Sequence, residues 1–158
     1  MYRSTKMFEL GSCAFRQWRA TSSHCRFVHG YQLKAKVWFK CSKLDDKNWC
    51  VDFGDLKELK DIFQKQFDHT LCIASDDPLL PSFIQLHESK GCDLRIMDGV
   101  GIEKTAEWCF NAAQKFLQEN TETKGRCWVS KVEVWEHDQN SAIFELPPNY
   151  NFSAQNNI

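Results

Sequence analysis

A thiol and an imidazole, Cys25 and His29, stand close together in the run Cys25-Arg26-Phe27-Val28-His29-Gly30-Tyr31, just ahead of a segment with the alternation of a strand. An adjoining acid and imidazole, Asp68-His69, follow an amphipathic helical pattern, and Glu136 ends a late strand-like segment. A thiolate abstracts protons when nearby positive charge stabilises it, and an imidazole backed by a carboxylate returns them near neutral pH. Three separated places thus carry the parts of a proton-transfer site, provided the fold gathers them. Each also has a plainer reading: Cys25 as a buried thiol, His29 as the end of a turn, Asp68-His69 as a helix-end cap.

The elements that must position these groups follow from periodicity. Met7 to Phe15 reads as a strand. Tyr31 to Phe39 reads as another, with Tyr31, Leu33, Ala35, Val37 and Phe39 on one face and Gln32, Lys34, Lys36 and Lys40 on the other, the two lysines Lys34 and Lys36 serving only as a solvent face. Between them, Arg16 to Gly30 lacks periodicity and fits a structured loop, a common place for functional groups. A turn at 44–48, a short strand Trp49 to Phe53 and a helix capped by Asp55 come next, the helix running to about Phe67 on a stripe of Leu56, Leu59, Ile62 and Phe63. A shorter helix begins at Asp76-Asp77-Pro78 and stops at Gly91, a strand covers Asp93 to Met97, and a helix runs from about Lys104 to Glu119. Trp128 to Glu136 alternates with Trp128, Ser130, Val132, Val134 and Glu136 on one face, then turns at 138–140 into a hairpin with Ser141 to Phe144. The expected organisation is one domain over 1–146 and a tail over 147–158.

A chain of 158 residues is long enough to bury a core without metal or disulfides. Its net charge of -1, from 20 basic and 21 acidic residues spread throughout, leaves no footprint for nucleic acid or an anionic membrane. No apolar stretch spans a bilayer and no signal-peptide core follows Met1, so a cytoplasmic protein with a small-molecule or subunit partner is expected. The 8 cysteines are far apart in sequence with no CxxC pair, which speaks against a disulfide scaffold or zinc ribbon and for reduced core thiols.

Taken together, Cys25 ahead of His29-Gly30, Val51-Asp52-Phe53-Gly54-Asp55-Leu56-Lys57, Phe67-Asp68-His69, Thr105-Ala106-Glu107 and Val132-Glu133-Val134-Trp135-Glu136 resemble the 6-pyruvoyltetrahydropterin synthase and 6-carboxytetrahydropterin synthase family. The resemblance covers most of the chain. It implies an α+β T-fold, ββααββ in order, with an antiparallel sheet, helices on one face, and subunits that close their sheets into a barrel as a homo-oligomer, a trimer or hexamer. It implies Cys25, Asp68 and His69 as the catalytic, proton-moving groups, Glu136 as the grip on the pterin ring, and Thr105, Glu107 and Arg16 as further substrate contacts. Arg16, Arg19 and Arg26 are the cations nearest in sequence for a triphosphate. The implied reaction is conversion of dihydroneopterin triphosphate to 6-carboxytetrahydropterin in queuosine (7-deazapurine) biosynthesis. The alternatives are 6-pyruvoyltetrahydropterin synthase chemistry and a non-catalytic pterin- or purine-binding module.

The family also holds Zn2+ on three histidines, and here the sequence departs. The His-Gly-His motif reads His29-Gly30-Tyr31, and the first-strand ligand position falls at Phe15. Zinc at a catalytic site commonly takes three protein ligands, and a phenol must lose a proton to serve. Three arrangements stay open: a rebuilt site in which His24, with His137, joins His29; a metal-free site with Arg16 or Arg19 supplying positive charge; or an inactive one. Thr105 and Glu107 equally suit the first turn of a helix.

Overall fold

The computed structural model describes residues 1–148, so most of the expected tail lies outside the described residues. In chain order the elements are β1 (Tyr2–Phe15), a one-turn 3-10 helix (His24–Arg26), β2 (His29–Cys41), α1 (Lys57–Phe67), β3 (Thr70–Ala74), α2 (Leu80–Glu88), β4 (Leu94–Met97), α3 (Ile102–Glu119), β5 (Cys127–His137) and β6 (Asn140–Glu145). The strands form one sheet in the order β4-β3-β1-β2-β5-β6. Strands β1, β2, β5 and β6 pair antiparallel, β5 and β6 as the expected hairpin. Two short strands, β3 and β4, extend that sheet in parallel beyond β1, so the sheet is mixed rather than purely antiparallel, and α2 lies between these additions in sequence.

One face of the sheet carries the core. Leu33, Ala35, Val37 and Phe39 are fully buried as the alternation requires, against Leu59, Phe63 and Phe67 of α1 and Ala106, Cys109, Phe110 and Ala113 of α3. Burying each of the large phenylalanines, Phe39, Phe63 and Phe67, contributes about 1.5–3 kcal/mol. Ile62 stays at the rim of the α1 stripe. Among the described residues no helix is long and apolar enough to cross a membrane.

Three expected details differ. Trp49 to Phe53 is a series of bends and turns, not a strand. Acidic side chains take the backbone donors there: Asp45 Oδ1 accepts from the N–H groups of Lys47 and Trp49 at 2.9 and 2.8 Å, and Asp52 Oδ1 accepts from Gly54 N–H at 2.8 Å. Helix α1 consequently starts after Leu56, with no side-chain cap, so Asp55 does not cap it. In β5 a bulge at Ser130 reverses the alternation: Trp38 pairs with Lys131 but Phe39 with Val129. Val129 and Cys127 therefore join Val132 and Val134 in the core, while Trp128 is only half-buried.

Candidate functional site

Asp68 is the C-cap of α1, and His69 follows it with φ at 57°, a left-handed conformation. His69 N–H donates to Ser12 O at 2.7 Å, and Asp68 Oδ1 accepts from Ser12 N–H at 3.0 Å while lying 2.9 Å from His69 Nδ1. The same two residues thus end the helix and pair acid with imidazole. The backbone fixes the imidazole with Nδ1 on its carboxylate and an 85% exposed side chain facing outward. Gly11, at the bulge of β1 with φ at 101°, makes room for this: a Cβ there would sit 2.1 Å from Asp68 Oδ1. Gly11→Ala is expected to displace Asp68 and to lower Tm, with about 1–2 kcal/mol from the disfavoured backbone alone. Calorimetry checks it, and an unchanged Tm would show that Asp68 is not held by this approach.

Cys25 sits half-buried on the 3-10 turn, whose N-cap Ser23 Oγ accepts from Cys25 N–H, and its carbonyl accepts from Gln17 N–H at 2.8 Å. His29 opens β2 opposite Phe15, with ring centroids 4.9 Å apart, and its Nδ1 lies 2.8 Å from Phe27 O. Gly30 is required next to it, since a Cβ would meet the Cys13 carbonyl at 2.7 Å. Tyr31 stacks edge-on to His29 at 5.5 Å and lies 6.1 Å from His137. Burial, with the Glu136 carboxylate and Cys25 adding to it, pushes the Tyr31 phenol above its ordinary pKa. Cys25, Tyr31 and Glu136 therefore share one electrostatic neighbourhood. Glu136, its side chain only 17% exposed, accepts from Asn140 Nδ2 at 2.8 Å and lies 3.8 Å from His137 Nε2.

No hydrogen bond, ion pair or ring contact joins Cys25 to Asp68-His69 among the described residues. The dyad hangs on Ser12, whereas Cys25 hangs on Gln17 past the end of β1, roughly 16 Å further along at strand spacing. Arg16 is committed elsewhere, its guanidinium gripping the buried Asp77 carboxylate through Nε at 2.6 Å and Nη2 at 2.9 Å. Thr105 is buried in the first turns of α3, and Glu107 pairs with Lys104 at 2.7 Å, as the helix reading of these two requires. A cleft of about 540 Å³ opens beside Glu136, lined by Met7, Gln32, Lys34, Trp135, His137 and Asp138. Lys34, Gln32 and Trp135 had no signal of function in the sequence, because alternation marks them only as the face away from the core. The pairing of Lys34 with Trp135 across β2 and β5 next to Glu136 is a matter of register.

The residues around His29 do not fit the three-histidine zinc site that the resemblance implies. Phe15 offers no donor and Tyr31 is held as the neutral phenol, which leaves His29 alone of the three positions with an ordinary zinc donor. Neither His24 nor His29 belongs to a group of three ligand-type side chains within mutual reach among the described residues. The one such group is Cys41, Cys50 and Cys127, buried at the far end of β2 and able to coordinate a metal. These three are buried free thiols, as the reading of reduced core thiols expects, and the fold brings them together from distant parts of the sequence. There Cys41 is pushed up to about 11, chiefly by burial, Cys50 is also raised, chiefly by its hydrogen bond with Cys127, and Cys127 is lowered by the same contact.

The family model for 6-pyruvoyl tetrahydropterin synthase matches residues 5–147. A 6-carboxy-5,6,7,8-tetrahydropterin synthase of Rickettsia conorii is 33% identical over 54 residues, a match that spans 34% of this chain and 39% of that relative. Among solved structures, an uncharacterised protein from Wolinella succinogenes superposes with a TM-score of 0.74 at 21% identity, covering 91% of this chain and 97% of that one. A 6-pyruvoyl tetrahydropterin synthase from Plasmodium vivax superposes with a TM-score of 0.64 at 14% identity, covering 91% and 98%. The mixed sheet with its one-sided helices is the T-fold arrangement these chains share.

Proposed function

Because the chain belongs to the 6-pyruvoyl tetrahydropterin synthase family, we propose that it is a pterin lyase acting on dihydroneopterin triphosphate. The observation that carries this reading is the half-buried Glu136 carboxylate beside a cleft, with Tyr31 in the field of both Glu136 and Cys25 and a bonded Asp68-His69 pair presented outward on the same chain. Glu136 accepts hydrogen bonds from the amino group and ring N–H of the pterin, which orients the ring. Trp135 flanks the ring, and Lys34 gives the phosphates a cation that Arg16, tied to Asp77, does not. Cys25 removes a proton from the side-chain carbons as triphosphate departs. His69, steadied by Asp68, returns a proton, and it does so in the cleft of a neighbouring copy within a homo-oligomer. No step runs through zinc at His29, since the residues there do not supply its ligands.

The leading product in this reading keeps all the side-chain carbons, as a 6-pyruvoyl pterin. The second reading, a 6-carboxytetrahydropterin synthase of queuosine biosynthesis, is favoured by the local match to the Rickettsia relative. It requires loss of a two-carbon fragment. Mass spectrometry of a reaction with dihydroneopterin triphosphate distinguishes the two by the carbons retained. Neopterin is expected to raise the Tm of the wild type and not of Glu136→Ala, since a ligand stabilises by mass action. Equal shifts in both proteins would remove Glu136 as the anchor. Binding through Glu136 with neither product would leave a pterin-binding module and end the lyase reading.

A further inference from the structure

We propose that Cys41, Cys50 and Cys127 form a buried structural zinc site, with Ser4 Oγ as the fourth donor, separate from the Glu136 cleft. At roughly 3.3 Å per residue, β2 from Lys34, the cleft residue nearest along that strand, to Cys41 puts roughly 23 Å between the two places. The chain builds the site from three directions. Cys41 and Cys127 are cross-strand partners at the ends of β2 and β5, and the Ser130 bulge turns Cys127 to the core side. The turns after β2 fold Cys50 back over this pair, and the Cys127 thiol donates to the Cys50 carbonyl at 2.9 Å.

All three sulfurs lie within 4.8 Å of one another, and the residues are between 0 and 5% exposed. A tetrahedral zinc with bonds of about 2.3 Å sets its sulfurs about 3.8 Å apart, so a closure of about 1 Å at most completes the fit. Ser4 Oγ is the second observation. It is a buried hydroxyl whose one neighbour for a hydrogen bond among the described residues is the Cys50 thiol. A thiol is a weak partner for a buried hydroxyl, and a metal shared by the two offers the oxygen a stronger one.

Charge balance is also on hand. Zn2+ displaces three thiol protons, which leave to solvent, and the resulting three-thiolate complex carries one net negative charge. The Arg126 guanidinium, held by the carbonyls of Lys43 and Trp49 at 2.9 and 3.2 Å, reaches Cys41 and Cys127 with its field. A cleft of about 380 Å³, lined by Tyr2, Ser4, Trp49, Cys50 and Phe53 among others, gives the ion a way in from solvent. With no secondary structure of its own between β2 and α1 beyond turns, that segment gains from the metal a tie to the sheet.

The test uses the full chain, reduced and metal-free, loaded with Zn2+ and read by X-ray absorption, with Co2+ as the coloured stand-in. One zinc per chain with three sulfur neighbours is expected. So is a sulfur-to-cobalt charge-transfer band that persists in the double variant His24→Ala/His29→Ala and in Cys72→Ala but is lost in Cys50→Ala and Cys127→Ala. Absence of zinc uptake, zinc ligated mainly by nitrogen, copper(I) taken to the exclusion of zinc, or a band surviving both cysteine changes would each overturn the proposal. Should a cysteine variant fail to fold, the sulfur count on the wild type decides the matter alone.

Discussion

In Cys25→Ala, turnover of the phosphorylated pterin is expected to fall roughly 10²–10⁴-fold, the usual contribution of a positioned general base. His69→Asn is expected to fall by a similar factor. Asn is the appropriate replacement because His69 occupies the left-handed region, where it is tolerated far better than most residues. The separation of the two groups along β1 makes a stronger claim testable. If His69 serves the cleft of a neighbouring copy, two inactive variants mixed under conditions that exchange subunits recover activity. Random exchange pairs an intact Cys25 with an intact His69 at roughly a quarter of sites, so roughly a quarter of wild-type activity returns. A mixture as inactive as its components would sink the shared site, and full turnover by Cys25→Ala alone would remove the thiol from the chemistry.

Asp77→Ala is expected to cost about 3–5 kcal/mol of stability, the penalty for leaving a buried charge without its partner. The Asp77 side chain is 0% exposed and accepts from Arg16 twice and from Leu79 N–H, and the Arg16 side chain is only 16% exposed. For a chain of this size such a loss lowers Tm by roughly 6–20 °C, readable by calorimetry. The neighbouring pair Arg19 and Asp76 meets at 2.9 Å with both side chains more than half exposed, and Asp76→Ala should melt close to the wild type. Replacing both buried partners, as Arg16→Met with Asp77→Leu, should restore much of the lost stability. If Asp77→Ala melts with the wild type, the bidentate pair is not what secures the end of β1. Turnover should fall as well, because Arg16 Nη1 also holds Arg26 O, next to Cys25.

The alternation of β2 and the stripe of α1 were legible because each element buries one face only, and that is what a period records. Strand β3 was not. Thr70-Leu71-Cys72-Ile73-Ala74 is buried at every position between β1 and β4, so it shows no alternation, and five residues carry too little pattern to mark a strand. The expected strand at Trp49 to Phe53 failed for the opposite reason. Its residues alternate well enough, yet Asp45 and Asp52 bind the local backbone donors before a neighbouring strand can. For the site, the sequence singles out Cys25, Asp68, His69 and Glu136, and the fold pairs Asp68 with His69 while Cys25 is held on a different loop. What the sequence could not show was that Arg16 spends its guanidinium on Asp77, or that three thiols from β2, a turn and β5 converge. Both depend on contacts between residues far apart in the chain.

The bulge at Ser130 also sets where this chain can change in length. Ser130 is the extra residue between two runs of regular pairing, Trp38 with Lys131 on one side and Phe39 with Val129 on the other. A deletion of Ser130 itself would join Val129 to Lys131 with each already on its proper side, so the strand would straighten and no side chain would change face. Removing any other residue from the paired run would instead turn one part of β5 over, sending core valines outward and lysines or tryptophans in. Gaps accepted over evolution in the part of this strand paired to β2 should therefore collect around Ser130.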